Sequence, residues 1–124
     1  MKRKKVYICS PLRGDMEENI RKARVYCRQA VVMGVLPIAP HIYFTQFMDD
    51  TDPRERKICL EMGCEELATC AETWVFGLEN LSEGMAAEVE LSELLGIPVL
   101  NGFEMISLLA PADQQGGASG GSYA

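Results

Sequence analysis

The chain has one histidine, one tryptophan and 7% aromatic residues in 124, and it carries 12 lysines and arginines against 18 aspartates and glutamates. A formal net charge of −6 argues against a general nucleic-acid binder, because phosphate-backbone affinity rests on clustered cations. The basic run Lys2-Arg3-Lys4-Lys5 reads as a solvated lead-in to a first strand. With His41 as the sole imidazole, no Ser-His-Asp or Cys-His arrangement can be assembled without it. Cys9, Cys27, Cys59, Cys64 and Cys70 are odd in number and contain no C-x-x-C pair, so neither a disulfide framework nor a zinc site is expected. They read as reduced, mostly buried thiols. No apolar run approaches membrane-spanning length and the first residues lack a signal-peptide core, so the expected location is cytoplasmic, with no membrane partner.

What the chain does have is a 48% hydrophobic composition, enough for one core flanked by helices, and an alternation of strand-like and helix-like segments. KVYIC (Lys5 to Cys9) is a β-favouring run, broken by Pro11 and Gly14. A helix is expected over Met16 to Met33, with Ile20, Ala23, Cys27, Ala30 and Val31 at helical spacing and Gly34 as its stop. Further strands are expected over Leu36 to Ala39, Thr73 to Phe76 and Ile97 to Leu100. Helices are expected over Arg54 to Cys70, Ser82 to Leu95 and Phe103 to Leu109. Pro40 to Pro53 has no steady period and reads as a long loop with a short helical piece, the kind of segment that is usually functional or disordered. The pattern predicts a single α/β domain over residues 1–110 with a central parallel sheet, followed by a flexible Gly/Ser-rich tail over 111–124. Ligands of such sheets bind beyond the carboxyl ends of the strands.

Within this frame Glu88 stands out. At about 100° per residue, Glu83, Glu90 and Glu93 cluster on one side of their helix, whereas Glu88 falls opposite them among Leu91, Ser92 and Leu95. A carboxylate on an apolar face is costly unless paired, and a costly charge in a cleft is a candidate for chemistry; a rim position that reaches solvent is the alternative. Ser10 and Arg13, beside Gly14 and a helix start, offer a hydroxyl and a guanidinium suited to phosphate or sugar, with Asp15 available as a helix cap. Ser82 sits at the start of the Glu88 helix, as anion ligand or as N-cap, and Gly84 allows close approach to the backbone. Tyr7 could orient a nearby carboxylate or simply pack. His41 is assigned a structural role first and substrate contact second, and Trp74 is expected in the core.

YICSPLRG (Tyr7 to Gly14), Ser82-x-Gly84-x-x-x-Glu88 and GIPV (Gly96 to Val99) together resemble the nucleoside 2-deoxyribosyltransferase superfamily over roughly Lys5 to Leu100. The resemblance is closest to a bacterial and phage branch that carries PHIYFTQF (Pro40 to Phe47) and ETWVFG (Glu72 to Gly77), and more distant to deoxynucleoside 5′-monophosphate N-glycosidases. It implies a flavodoxin-like (Rossmann-like) fold, a homo-oligomer of dimer or higher order, a nucleoside or nucleotide as small-molecule partner, and no cofactor or metal. It implies Glu88 as nucleophile, Tyr7 as its orienting hydroxyl, and Arg13 and Ser82 as phosphate ligands. The chain departs from the resemblance where the relatives carry an aspartate that assists proton transfer, since counting back leads to Gly63 or Cys64. Glu61, Glu65, Glu66, Asp49, Asp50 and Asp52 stand nearby as substitutes. Ala71 also replaces a residue that is often acidic. Two functions follow: N-glycosidic cleavage or deoxyribosyl transfer, and a nucleotide or sugar-nucleotide sensing module that has lost the chemistry. Cleavage of an NAD-like dinucleotide is a third.

Overall fold

The computed structural model describes residues 2–108, so the expectations for the 111–124 tail lie outside the described residues. Four strands, β1 (Lys5–Cys9), β2 (Leu36–Ile38), β3 (Glu72–Val75) and β4 (Val99–Asn101), form an all-parallel sheet in the order β2-β1-β3-β4. The helices are α1 (Met16–Val32), α2 (Pro40–Tyr43), α3 (Pro53–Leu67), α4 (Glu83–Leu94) and α5 (Gly102–Ile106). This is an α/β, flavodoxin-like architecture.

Alternation in β1 builds both layers. Val6 and Ile8 point to the face covered by α1 and α5, where they join Ala30, Trp74 and Phe76; Tyr7 and Cys9 point to the opposite face, under α4, with Leu67, Val75 and Met85. Because β1 continues through α1 to β2 on one side and the chain later returns to β3 on the other, the strand order reverses beside β1. The loops that follow β1 and β3 therefore diverge at their carboxyl ends and leave a crevice.

Local chemistry sets the element ends. Asp15 caps α1 through the Glu18 amide, Asp52 caps α3 with Pro53 at its first position, and Ser82 caps α4 through the Met85 amide. Several expected boundaries move inward. α3 stops at Leu67 instead of Cys70, and β4 begins at Val99 because Pro98 has no amide to donate to the ladder, although its carbonyl accepts from Thr73. The apolar stripe of α1 runs through Ala23, Tyr26, Cys27 and Ala30, while Val31 lies one step around the helix and is exposed. The expectation of mostly buried thiols is corrected: Cys9 and Cys70 are buried, Cys27 and Cys59 are half-buried and Cys64 is exposed. Cys64 follows the buried Gly63 on α3, a helix with only Gly63 and Leu67 buried, and so remains open to water. No helix among the described residues is long and apolar enough to cross a membrane.

Candidate active site

Under α4, residues 81 positions apart meet: the Tyr7 hydroxyl donates to Glu88 Oε2 at 2.6 Å. Tyr7 comes from the middle of β1 and Glu88 from the second turn of α4; they meet because β1 lies beside β3 and α4 packs back across both. The residue is half-buried, but its carboxylate lies deep enough that burial raises its pKa above the ordinary value, with the hydrogen bonds from Tyr7 and Cys9 pulling the other way. Tyr7 is itself buried, and burial together with the adjacent carboxylate raises its pKa well above that of a free phenol. It therefore remains a neutral donor at working pH. Burial and Glu88 likewise push the Cys9 thiol up, so it too stays protonated; its Sγ also lies 3.8 Å from the Met85 carbonyl.

Behind Glu88 a second polar line fixes the helix. The buried Ser92 hydroxyl donates to the Glu88 carbonyl at 2.8 Å and lies 2.8 Å from the buried Thr73 hydroxyl. Ser92 has one proton to give, so Thr73 is the donor in their contact. This ties β3 to α4 at the level of the acid. The apolar neighbours of Glu88 differ in part from expectation. Met85 and Ser92 are buried and Leu91 is half-buried, but Leu95 is the C-cap of α4 and is exposed, because the helix has run past the sheet by that point.

On α3, Gly63 stands against the tyrosine: a Cβ built there would lie 3.7 Å from the Tyr7 hydroxyl. Cys64, next along, is near enough to feel the Glu88 charge, which with partial burial raises its thiol pKa. The position at which the resemblance expects an acid thus faces the Tyr7–Glu88 pair and holds a glycine and a thiol. Of the nearby acids, Glu66 accepts a 2.6 Å hydrogen bond from Tyr43, and Asp49 accepts from Thr51.

Ser10 and His41 are brought together, with Ser10 Oγ 2.9 Å from His41 Nε2. Burial lowers the His41 pKa to about 4, so the imidazole is neutral near pH 7. Arg13 reaches the other way, to Asp50. Ser82 is exposed and occupied as the α4 N-cap. Gly14 adopts a positive φ of 99°, which a side chain rarely tolerates, and a Cβ at Gly84 would meet nothing within 4 Å. The structure thus pairs Tyr7 with Glu88 and Ser10 with His41, whereas Arg13 and Ser82 make separate contacts. Two surface hollows of about 530 and 540 Å³ lie along α1, away from Glu88. Sequence reasoning missed Cys9, Thr73 and Ser92. The period of two in β1, which puts Cys9 on the face of Tyr7, was the available signal for the thiol.

Residues 4–101 match the family model described as "Domain of unknown function (DUF7768)". The chain belongs to this family. No curated protein matches the chain. Among solved structures, this DUF7768 domain is similar to the 2-deoxyribosyltransferase from the psychrotolerant bacterium Bacillus psychrosaccharolyticus. The TM-score is 0.58 at 22% identity, over 77% of this chain and 69% of that one. At that identity the likeness establishes the shared fold.

Proposed function

We propose that this DUF7768 domain cleaves the N-glycosidic bond of a nucleoside or nucleoside 5′-monophosphate, or transfers its deoxyribosyl group, with Glu88 as nucleophile. The observation that carries the reading is the 2.6 Å Tyr7–Glu88 hydrogen bond, made from β1, the strand beside which the strand order reverses. The fold shared with a 2-deoxyribosyltransferase supports it further. Breaking this bond builds positive charge on the anomeric carbon. A carboxylate held against one face of the sugar stabilises that charge and, in its ionised form, can close a glycosyl ester as the base departs with the bonding pair. Tyr7 and Cys9 point the carboxylate and oppose the burial that favours its protonated form. Water or a second base then opens the ester, giving hydrolysis or transfer. In this reading Ser10 and Gly14 of the loop after β1, His41 of α2 and Gly84 of α4 hold sugar and base, and Arg13 and Ser82 take a 5′-phosphate. The domain is further proposed to work as a homo-oligomer.

Gly63 favours a second reading, a nucleotide-sensing module, because the place facing Tyr7 and Glu88 carries a glycine and a thiol and no carboxylic acid to protonate the leaving base. Incubation with nucleosides, deoxynucleoside 5′-monophosphates and NAD, with free base followed by chromatography, separates the two. Release that falls on the order of 10³-fold or more in Glu88→Ala supports the enzyme. Release that survives the substitution rejects the mechanism, and binding without any release supports the sensor.

A further inference from the structure

Thr73 and Ser92 have no exposed surface, and their hydroxyls engage the main chain of Glu88 rather than its carboxylate. Together with Tyr7 and Glu88 they close a ring of four residues drawn from three elements. Tyr7 of β1 is the register partner of Thr73 of β3, so the two side chains leave the same face of the sheet about one strand spacing, roughly 4.8 Å, apart. One arm runs from Tyr7 through its hydroxyl to Glu88 Oε2. The other runs from Thr73 through a hydroxyl contact of 2.8 Å to Ser92, and from Ser92 through a bond of 2.8 Å to the Glu88 carbonyl. Both arms end on one residue, the first on its side chain and the second on its main chain.

Two features separate this ring from the ordinary satisfaction of a buried hydroxyl. The first is the seating of α4. Of its residues only Met85 and Ser92 are buried, three positions before Glu88 and four after it. The Met85 side chain is held by apolar contact, which resists separation more than rolling or sliding, whereas a hydrogen bond weakens steeply off its line and so fixes both. A carboxylate stands roughly 6 Å from its helix axis, so a roll of about 10° carries it through about 1 Å. That is enough to take the 2.6 Å contact with Tyr7 out of hydrogen-bond range. The second feature is the setting. Lys4 with Glu72, and Arg13 and Arg56 with Asp50, are ion pairs between distant elements whose members reach solvent, and Ser107, which bonds back to the Glu104 carbonyl, is exposed. Thr73 and Ser92 form a neutral, wholly buried pair. A Val–Ala pair would fill nearly the same space with no polar group to satisfy, so the two hydroxyls are retained against a desolvation penalty that the seating of α4 explains.

We propose that Thr73 and Ser92 are positioning residues for Glu88: their hydroxyl clamp sets the roll and height of α4 at which the carboxylate meets Tyr7, and they act on the reaction through that meeting. This rests on the reading of Glu88 as nucleophile and extends it to the packing behind the acid. Closing a glycosyl ester needs the attacking oxygen aligned with the anomeric carbon, and a misplacement of about 1 Å costs on the order of 10²-fold in rate. A loosened clamp lengthens the Tyr7 bond, and the carboxylate then titrates at higher pH because less opposes its burial. The titratable groups that face Glu88, Tyr7 and Cys9 of β1 and Cys64 of α3, are the same in every variant of the clamp.

Ser92→Ala, Thr73→Val and Thr73→Ser, each alone and combined with Tyr7→Phe, test this in the full chain, with circular dichroism as the check on folding. Carbon-13 NMR of the Glu88 carboxyl reads its titration without turnover, and base release from nucleosides and their 5′-monophosphates reads the reaction. Ser92→Ala and Thr73→Val are expected to move the titration to higher pH, in the direction of Tyr7→Phe, and to lower kcat about tenfold with KM changed by less than about twofold. Thr73→Ser keeps the hydroxyl and loses the methyl group, so it is expected to recover most of what Thr73→Val loses; a Thr73 that served packing alone would show the opposite order. In the Tyr7→Phe background the clamp substitutions are expected to add less than about twofold, because the contact through which they act is already gone. Folded Ser92→Ala and Thr73→Val proteins with an unmoved Glu88 titration would overturn the clamp, and so would an effect of full size in the Tyr7→Phe background. Should Ser92→Ala unfold, Thr73→Val, which keeps the side-chain shape, carries the test. A titration that shifts as expected while base release survives Glu88→Ala rejects the nucleophile and leaves the clamp supported. Release that requires Glu88 but is unmoved by either clamp substitution does the reverse.

Discussion

The two faces of one four-stranded sheet are built to opposite rules. Under α1 and α5 the interior is apolar and aromatic, with Trp74 and Phe76 from β3 and the residue after it, Tyr26 stacked on Phe76 at 4.0 Å, and Phe103 edge-on to both rings. Under α3 and α4 the same strands bury Tyr7, Cys9 and Thr73 against Glu88 and Ser92. The first face gains from removing apolar area from water. The second retains polar groups whose burial disfavours the charged form of Glu88. One side of the sheet is packed with apolar and aromatic groups and the other carries the proposed chemistry, and mutations should tell them apart.

The largest expected effect lies on the apolar face. Trp74→Ala should destabilise the domain by about 3–5 kcal/mol, read as a shifted urea midpoint, through lost transfer free energy and the cavity left behind. Next comes Gly102→Ala, on the same face. A Cβ there would approach the Phe76 ring to 2.5 Å, so about 1–3 kcal/mol of overpacking is expected in the same measurement.

On the polar face the signs change. Glu88→Gln should stabilise the fold at pH 8, because the folded state holds the Glu88 pKa above its unfolded value. The sign follows from proton binding. Between those two pKa values the native state binds more protons than the unfolded state, so wild-type stability falls as pH rises through that window and levels off above it. The advantage of Glu88→Gln in melting temperature should accordingly shrink as pH is lowered toward 4.5; an advantage that is the same at every pH contradicts the assignment. The smallest effect in stability is also the most specific in chemistry. Tyr7→Phe removes the hydrogen bond that lowers the Glu88 pKa, so the acidic limb of the base-release profile should move to higher pH, whereas loss of packing alone would leave the limb in place.

Glu88 could be singled out in the chain because its position opposite the other glutamates of α4 is a matter of helical period alone. The same is true of Asp15 and Ser82, whose capping roles act over three residues. Leu95 and Val31 fit their helical stripes and are nevertheless exposed, since a periodic pattern does not tell where the sheet beneath a helix ends. Arg13 was legible as a cation in the first loop. Its partner was not, because Asp50 lies 37 residues away, in a segment without periodicity, and Arg56 carries no local signal that would distinguish it from Arg54.

The chain alone determined the alternation of β1, the caps, the helix that carries Glu88 and the α/β class, since each depends on residues a few positions apart. Only the tertiary structure decided that Tyr7 donates to Glu88, that Gly63 faces both, and that two arginines share Asp50. Those meetings depend on the strand order β2-β1-β3-β4, which sets β1 beside β3 and folds distant loops onto one edge. Strand order is a global outcome of packing two helix layers on one sheet, and no local pattern encodes it.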